Sequence, residues 1–270
     1  MSHSIVSTGK SQQAQTTVPS SLVNRTLLPN PASGEGWRVR LYESAGEAVA
    51  HWPLPQRAQP ESRRQPRVEE QAKRAEGNKS RSSRRAKGQV RRYAKANKLN
   101  RLWTLTYAEG QFDRQRASQD IRRFLERVQT RYGRQPILLV LEWHPGGHGL
   151  HVHALAGRFI PQQAIQLLWG HGIVHLKQIR ARGGQSATGA AAQYASKYIS
   201  KEMDAPPRSH RYYITEGWQP EAIEGRVRAK QDVLNWCLEA MGGQVPAYVW
   251  DSDDTDEWEG PPTLFIMWHI

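Results

Sequence analysis

Two strand-length apolar runs that meet at a short turn constrain this chain more than any other feature. Ile137 to His144 is apolar along most of its length, Pro145-Gly146-Gly147-His148-Gly149 is a turn, and Leu150 to Phe159 is the second run. Runs joined so briefly can pair only as an antiparallel hairpin, because a parallel pair needs a long crossover connection. The neighbouring segments extend the pattern. Leu102-Trp103-Thr104-Leu105-Thr106-Tyr107 is aromatic and β-branched, as strands are. Between Asp113 and Tyr132 the apolar residues Ile121, Phe124, Leu125 and Val128 recur at helical spacing, and Gly133 and Pro136 close the segment. Pro161 to Trp169 reads as a short helix and Ile173 to Ile179 as a strand. Gly183 to Ser186 is a loop. Gly189 to Met203 is an alanine-rich helix stopped by Pro206-Pro207, and His210 to Ile214 adds an edge strand.

This order predicts an α+β domain over residues 102–218, a ferredoxin- or RRM-like antiparallel sheet with helices on one face. Residues 1–60 are rich in Ser, Gln, Pro and Gly and predict disorder, with only Gly36 to Tyr42 reading as a short strand. Residues 61–101 form a basic, partly helical arm, helical from Glu69 to about Lys98 and interrupted near Gly77 and Gly88. Residues 219–244 read as a C-terminal helix, Glu221 to Met241, with Cys237 packed inside it and Gly242-Gly243 ending it. Residues 245–270 read as a flexible acidic tail.

Charge decides the class of partner. The net charge is +13. From Arg57 to Arg101 there are 16 Lys and Arg against four Glu, so this stretch alone carries +12. Such a concentration points to a polyanion, and nucleic acid is the commonest one. Arg84, Arg85, Lys87, Arg91 and Arg92 are the candidate DNA contacts. The single cysteine excludes a disulfide framework, which favours a reducing compartment. No apolar run reaches the ~18 residues of a membrane span, and Met1 to Ser20 lacks the apolar core of a secretory signal. A cytoplasmic protein with no membrane partner is expected.

The second strand of the hairpin carries His151-Val152-His153. Strand side chains alternate faces, so both histidines point the same way from Cα atoms ~6.5–7 Å apart. Val152 serves the opposite face. Glu142, near the end of the paired strand, is the candidate third ligand, and His144 and His148 in the turn compete with it. Two imidazoles and a carboxylate leave coordination positions open for water and phosphate oxygen, a set that suits Mn²⁺ or Mg²⁺.

Downstream, Tyr194 and Tyr198 are four apart, as are Lys197 and Lys201, and residues so spaced share a helix face. A phenol titrates near pH 10 and is a poor nucleophile at neutrality. A neighbouring ammonium favours the phenolate, and a metal-polarised phosphate lowers the barrier to its attack. The resulting phosphotyrosine ester conserves the bond energy, so religation needs no ATP.

These residues resemble the HUH endonucleases, and among them the rolling-circle replication initiators. Leu102 to Tyr107 resembles the family's first strand motif, Glu142 with His151-Val152-His153 its metal motif, and Tyr194 to Lys201 its tyrosine motif, here doubled as in the two-tyrosine phage and transposase class. The resemblance covers residues 100 to 215. It implies nicking of single-stranded or extruded origin DNA, retention of the 5′ phosphate on tyrosine, and a free 3′ hydroxyl that primes synthesis. The catalytic residues would be Tyr194, Tyr198, Lys197 and Lys201, and the metal ligands Glu142, His151 and His153. No phosphate-binding loop of the Gly-x-x-x-x-Gly-Lys type is present, so a host helicase would separate the strands and a host polymerase would extend the end. The alternatives are a relaxase or single-strand transposase with the same chemistry, a phosphodiesterase that uses water, and a basic nucleic-acid-binding protein without catalysis.

Overall fold

The computed structural model describes residues 36–53, 68–181, 186–201, 212–258 and 260–270; the side chains of 68–74 and 198–201 lie outside that description. The chain opens with strands β1 (Trp37–Tyr42) and β2 (Glu47–His51), followed by helix α1 (Val68–Ala96). Next come β3 (Arg101–Leu105), α2 (Arg114–Tyr132), β4 (Ile137–Trp143), β5 (Leu150–Ala156) and α3 (Gln162–Trp169). It continues with β6 (Val174–Gln178), α4 (Ala187–Lys201), β7 (Tyr212–Ile214), β8 (Ile223–Val227), α5 (Lys230–Ala240), β9 (Tyr248–Asp251) and β10 (Thr263–Met267).

The α+β class is as expected, but the strands form two five-stranded sheets. Their pairings are antiparallel throughout. The central sheet has the order β6-β3-β5-β4-β7 and contains the expected hairpin. Its helices lie on both faces, where one was expected. The reason is in β4, which buries every residue except Trp143. A strand that is apolar on both faces needs cover on both. On one face Phe124 and Val128 of α2 and Trp169 of α3 pack against Leu139, Leu141 and Val152. On the other, Val90 and Tyr93 of α1 and Ala191 and Ala195 of α4 pack against Leu138, Val140 and Leu155. Helix α2 starts where Asp113 accepts hydrogen bonds from the backbone N–H groups of Gln115 and Arg116, the usual N-cap arrangement.

The basic arm is corrected by the same packing. Helix α1 runs unbroken for 29 residues through Gly77 and Gly88. Ala86, Val90, Tyr93 and Ala94 are buried. Their spacing makes a narrow stripe on one face, so the C-terminal half of α1 belongs to the core.

The second sheet, ordered β8-β1-β2-β10-β9, draws its strands from both ends of the chain. It therefore corrects three expectations. Residues 36–53 are a hairpin within the region expected to be disordered; residues 1–35 and 54–67 lie outside the described residues, as do Gly183 to Gln185 and Pro206 to His210. Ile223 to Val227 is a strand, so the C-terminal helix begins only at Lys230. The acidic tail contributes β9 and β10, because Leu264 and Ile266 alternate with half-exposed residues and bury one face of a strand. That face, with Val39, Leu41 and Ala48, packs against Val233, Trp236 and Cys237 of α5. Gly225 on β8 makes room for this: a Cβ there would lie 2.5 Å from the Trp236 ring. Burial pushes the Cys237 thiol up to about 12, which fits a packing role.

Helix α1 joins the two sheets. On its side facing the second sheet, the fully buried Glu47 of β2 accepts from Arg91 Nε at 2.7 Å and Arg92 Nη1 at 2.8 Å. Arg91 lies over the Phe265 ring and Arg92 over the Tyr42 ring. Lys95 Nζ donates to the carbonyls of Gly46 and Trp268.

Candidate functional site

Register brings the sequence motifs to one end of the central sheet. Glu142 on β4 stands directly opposite His151 on β5. His153 stands opposite Thr104 on β3, which in turn stands opposite His175 on β6. Directly opposed residues share a face, so all five lie on the face that α1 and α4 cover. Toward the other end that face is apolar, with Leu102, Leu138 and Leu155.

The closest contact is between the acid and one histidine. His153 Nε2 and Glu142 Oε2 are 2.8 Å apart, and both side chains are nearly buried. On its other side the imidazole meets Thr104 Oγ1 at 3.3 Å, so the ring is fixed from both edges. The His151 ring lies 4.6 Å from that of His144, which is 5.0 Å from that of His148. Gly146 N–H donates to His144 Nδ1 at 3.0 Å and orients that ring. Burial, then the neighbouring His144 and His153, hold the His151 imidazole below its ordinary range, with Glu142 opposing them. A histidine kept neutral is in the form that ligates metals.

The donor set fits a divalent ion in part. Two donors on adjacent positions of one ion, each at ~2.1 Å, stand about 3 Å apart. Glu142 and His153 already have that spacing. His151, the third candidate, packs on His144 instead. Among the described residues no group of three or more His, Cys, Asp or Glu side chains is arranged to hold a metal.

The expected nucleophile helix is α4. Tyr194 is half-buried and packs against the cluster formed by Leu138, Val140 and Leu155, on the same sheet face as the histidines. Lys197 is exposed. Tyr198 and Lys201 belong to the same helix, but their side chains lie outside the described residues. Of the expected DNA contacts, Arg84 and Arg85 are exposed and Lys87 is half-buried. Arg91 and Arg92 are turned into the joint on Glu47, away from the solvated arm expected for them.

Reading the sequence missed Thr104 as a partner of His153 and missed His175 beside it. Both alternate correctly along their strands, but only the pairing of β3 with β5 and β6 shows that they share the histidine face. It also missed a polar group on the opposite face. There Tyr107 Oη donates to the buried Asp120 at 3.2 Å, and His171 stands 3.6 Å from the other carboxylate oxygen. Burial, then Asp120, raises the Tyr107 phenol, so this tyrosine stays protonated and ties β3 to α2.

Taken together, an antiparallel sheet with a paired acid and histidine, a second histidine beside them and a tyrosine helix across the same face defines a protein of the replication-associated, initiator type. Comparison with known families is more particular: the family described as replication-associated protein ORF2 matches residues 100–203, from the residue before β3 to just past the end of α4. No curated protein and no solved structure matches the chain. Less than half of the sequence lies in the matched stretch, and the second sheet is entirely outside it. Among the described residues no helix is long and apolar enough to cross a membrane.

Proposed function

We propose that the chain is a rolling-circle replication initiator that nicks single-stranded or extruded origin DNA by tyrosine attack. The observation that carries this reading is the shared face: Glu142, His151 and His153 lie at one end of the sheet face on which Tyr194 packs. Glu142, His151 and His153 would hold Mn²⁺ or Mg²⁺, with His151 turning from His144 to complete the set. When bound, such an ion polarises a phosphodiester and neutralises developing charge.

The chain's own residues account for the rest. The Tyr194 phenol gives up its proton, its oxygen forms a bond to phosphorus, and the bond from phosphorus to O3′ breaks. The leaving O3′ takes up a proton and remains as a free hydroxyl, while the 5′ phosphate stays on the tyrosine. Lys197, on the same helix, supplies positive charge beside the phosphate, and Thr104 keeps His153 oriented. Tyr198, one turn on from Tyr194, with Lys201 beside it, is the second nucleophile in this reading and would permit a second cut while the first end is held. A host helicase and polymerase are the expected partners. A relaxase or single-strand transposase would use the same site.

The test is covalent capture. With Mn²⁺ and single-stranded origin oligonucleotides, a denaturation-resistant adduct should form and map by mass spectrometry to Tyr194 or Tyr198. The Tyr194→Phe, Tyr198→Phe double variant should give neither adduct nor cleavage. Cleavage that persists in the double variant would show water to be the nucleophile and overturn the reading.

A further inference from the structure

We propose that a groove between α1 and the β9–β10 side of the second sheet binds single-stranded DNA, separately from the nicking site. The inference rests on the chain handling DNA, and not on the tyrosine chemistry.

Helical spacing puts Arg81, Arg84 and Arg91 along one side of α1. That side faces the second sheet. Arg84 sits 5.4 Å from the centre of the Trp258 ring and Arg91 sits 4.8 Å from that of Phe265. Trp258 in turn meets Trp250 of β9 edge-on, with ring centres 5.1 Å apart. Two cavities open along this line. One, of about 300 Å³, lies between Arg91, Gln193 of α4, and Tyr248 and Phe265. The other, of about 690 Å³, lies between Arg81, Arg84, Glu257 and Trp258. From Arg91 to Arg81 the helix rises ~15 Å, the reach of a few nucleotides of an extended strand.

Charge and ring chemistry choose the occupant. Arg81, Arg84, Arg85, Arg91 and Lys95 line the two cavities, and among the described residues Glu257 is the one carboxylate beside them. Tyr248 is 48% exposed, which leaves its ring open to solvent. Guanidinium groups beside aromatic faces match a nucleotide strand, phosphate to arginine and base to ring. Rigid duplex DNA buries the faces of its bases and gains nothing from the rings. A peptide partner would have to be strongly acidic to satisfy the arginines. Apart from Gln193 and its neighbours on α4, the groove lies outside the stretch that matches replication-associated proteins.

The test uses the full chain carrying Tyr194→Phe and Tyr198→Phe, without metal, so that binding is read apart from chemistry. A fluorescein-labelled oligothymidine should bind at low salt and weaken steeply as salt rises, whereas a duplex of equal length should bind at least five-fold more weakly. Tyr248→Ala should weaken oligothymidine binding five- to twenty-fold. Glu257→Gln, which removes charge at an exposed loop and no packing, should tighten it two- to five-fold. An oligonucleotide carrying 5-iodouracil should crosslink to peptides that contain Tyr248 or Trp258. Crosslinks confined to residues 100–203, together with unchanged affinity in both variants, would overturn the proposal. That result would leave covalent nicking untouched, and failed nicking with normal oligothymidine binding would leave the groove untouched.

Discussion

Replacing Glu47 by Gln should be the most damaging isosteric change in the joint between the two sheets. The carboxylate is fully buried and receives Arg91 Nε at 2.7 Å, Arg91 Nη2 at 3.0 Å and Arg92 Nη1 at 2.8 Å. An amide keeps the shape but loses the charge, and its NH₂ group meets a donor where it needs an acceptor. Removing one partner of a buried ion pair costs roughly 3–5 kcal/mol. The side chains of Arg91 and Arg92 remain 28% and 15% exposed, so water recovers part of their solvation. The lower end, about 3 kcal/mol, is therefore expected, or roughly 150-fold in the unfolding equilibrium. Urea denaturation followed by tryptophan fluorescence reads it as a lower midpoint at an unchanged slope. Combining Glu47→Gln with Arg92→Met should be less damaging than the sum of the single changes, since the two share a bond. A loss below about 1 kcal/mol for Glu47→Gln would refute the reasoning, because that is the scale of solvent-exposed pairs.

Three further outcomes are expected. Gly149→Ala should disturb the start of β5 and lower adduct formation at least ten-fold, since Gly149 has φ +86° and a Cβ there would lie 2.6 Å from the Gln111 carbonyl oxygen; an unchanged adduct yield would show that the turn does not position His151. Glu142→Gln should weaken Mn²⁺ binding, measured by calorimetry, by about ten-fold or more, as removal of a charged ligand does. His51 is held below its ordinary range by burial, then by Arg38 and Arg40. The folded protein therefore binds fewer protons than the unfolded chain below pH 6.5, and stability should fall as pH drops through that value. His51→Gln should reduce the difference between urea midpoints at pH 7 and pH 5; an equal difference in both proteins would remove His51 as its source.

Much of the central sheet is legible because its signals are local. The β4–β5 hairpin shows as two apolar runs and a glycine turn, and α2 shows as Ile121, Phe124 and Val128 at helical spacing behind Asp113. The pairing of Glu142 with His151 follows from counting back across the turn. What escapes is non-local or masked by composition. Residues Ala86, Val90, Tyr93 and Ala94 form a core stripe on α1, but alanines among many arginines read as a solvated helix. Strands β9 and β10 are short and flank an acidic loop, so charge hides the alternation of Leu264 and Ile266. The second sheet closes only when β2 meets β10, more than 200 residues away in the chain, and no local pattern announces such a partner. Thr104 reads in sequence only as a strand residue, because its contact with His153 exists only across a strand pair.

The shared position of α1 bears on modularity. Cut to residues 100–203, a fragment would lose Val90, Tyr93 and Leu99 from one face of the central sheet and leave Leu138, Val140 and Leu155 partly bare. The same cut would leave Glu47 of the other half with neither arginine. The helix is a party wall: neither neighbour can be removed without exposing the other. Any exchange of the matched stretch between chains built like this one must carry the wall and the second sheet along with it.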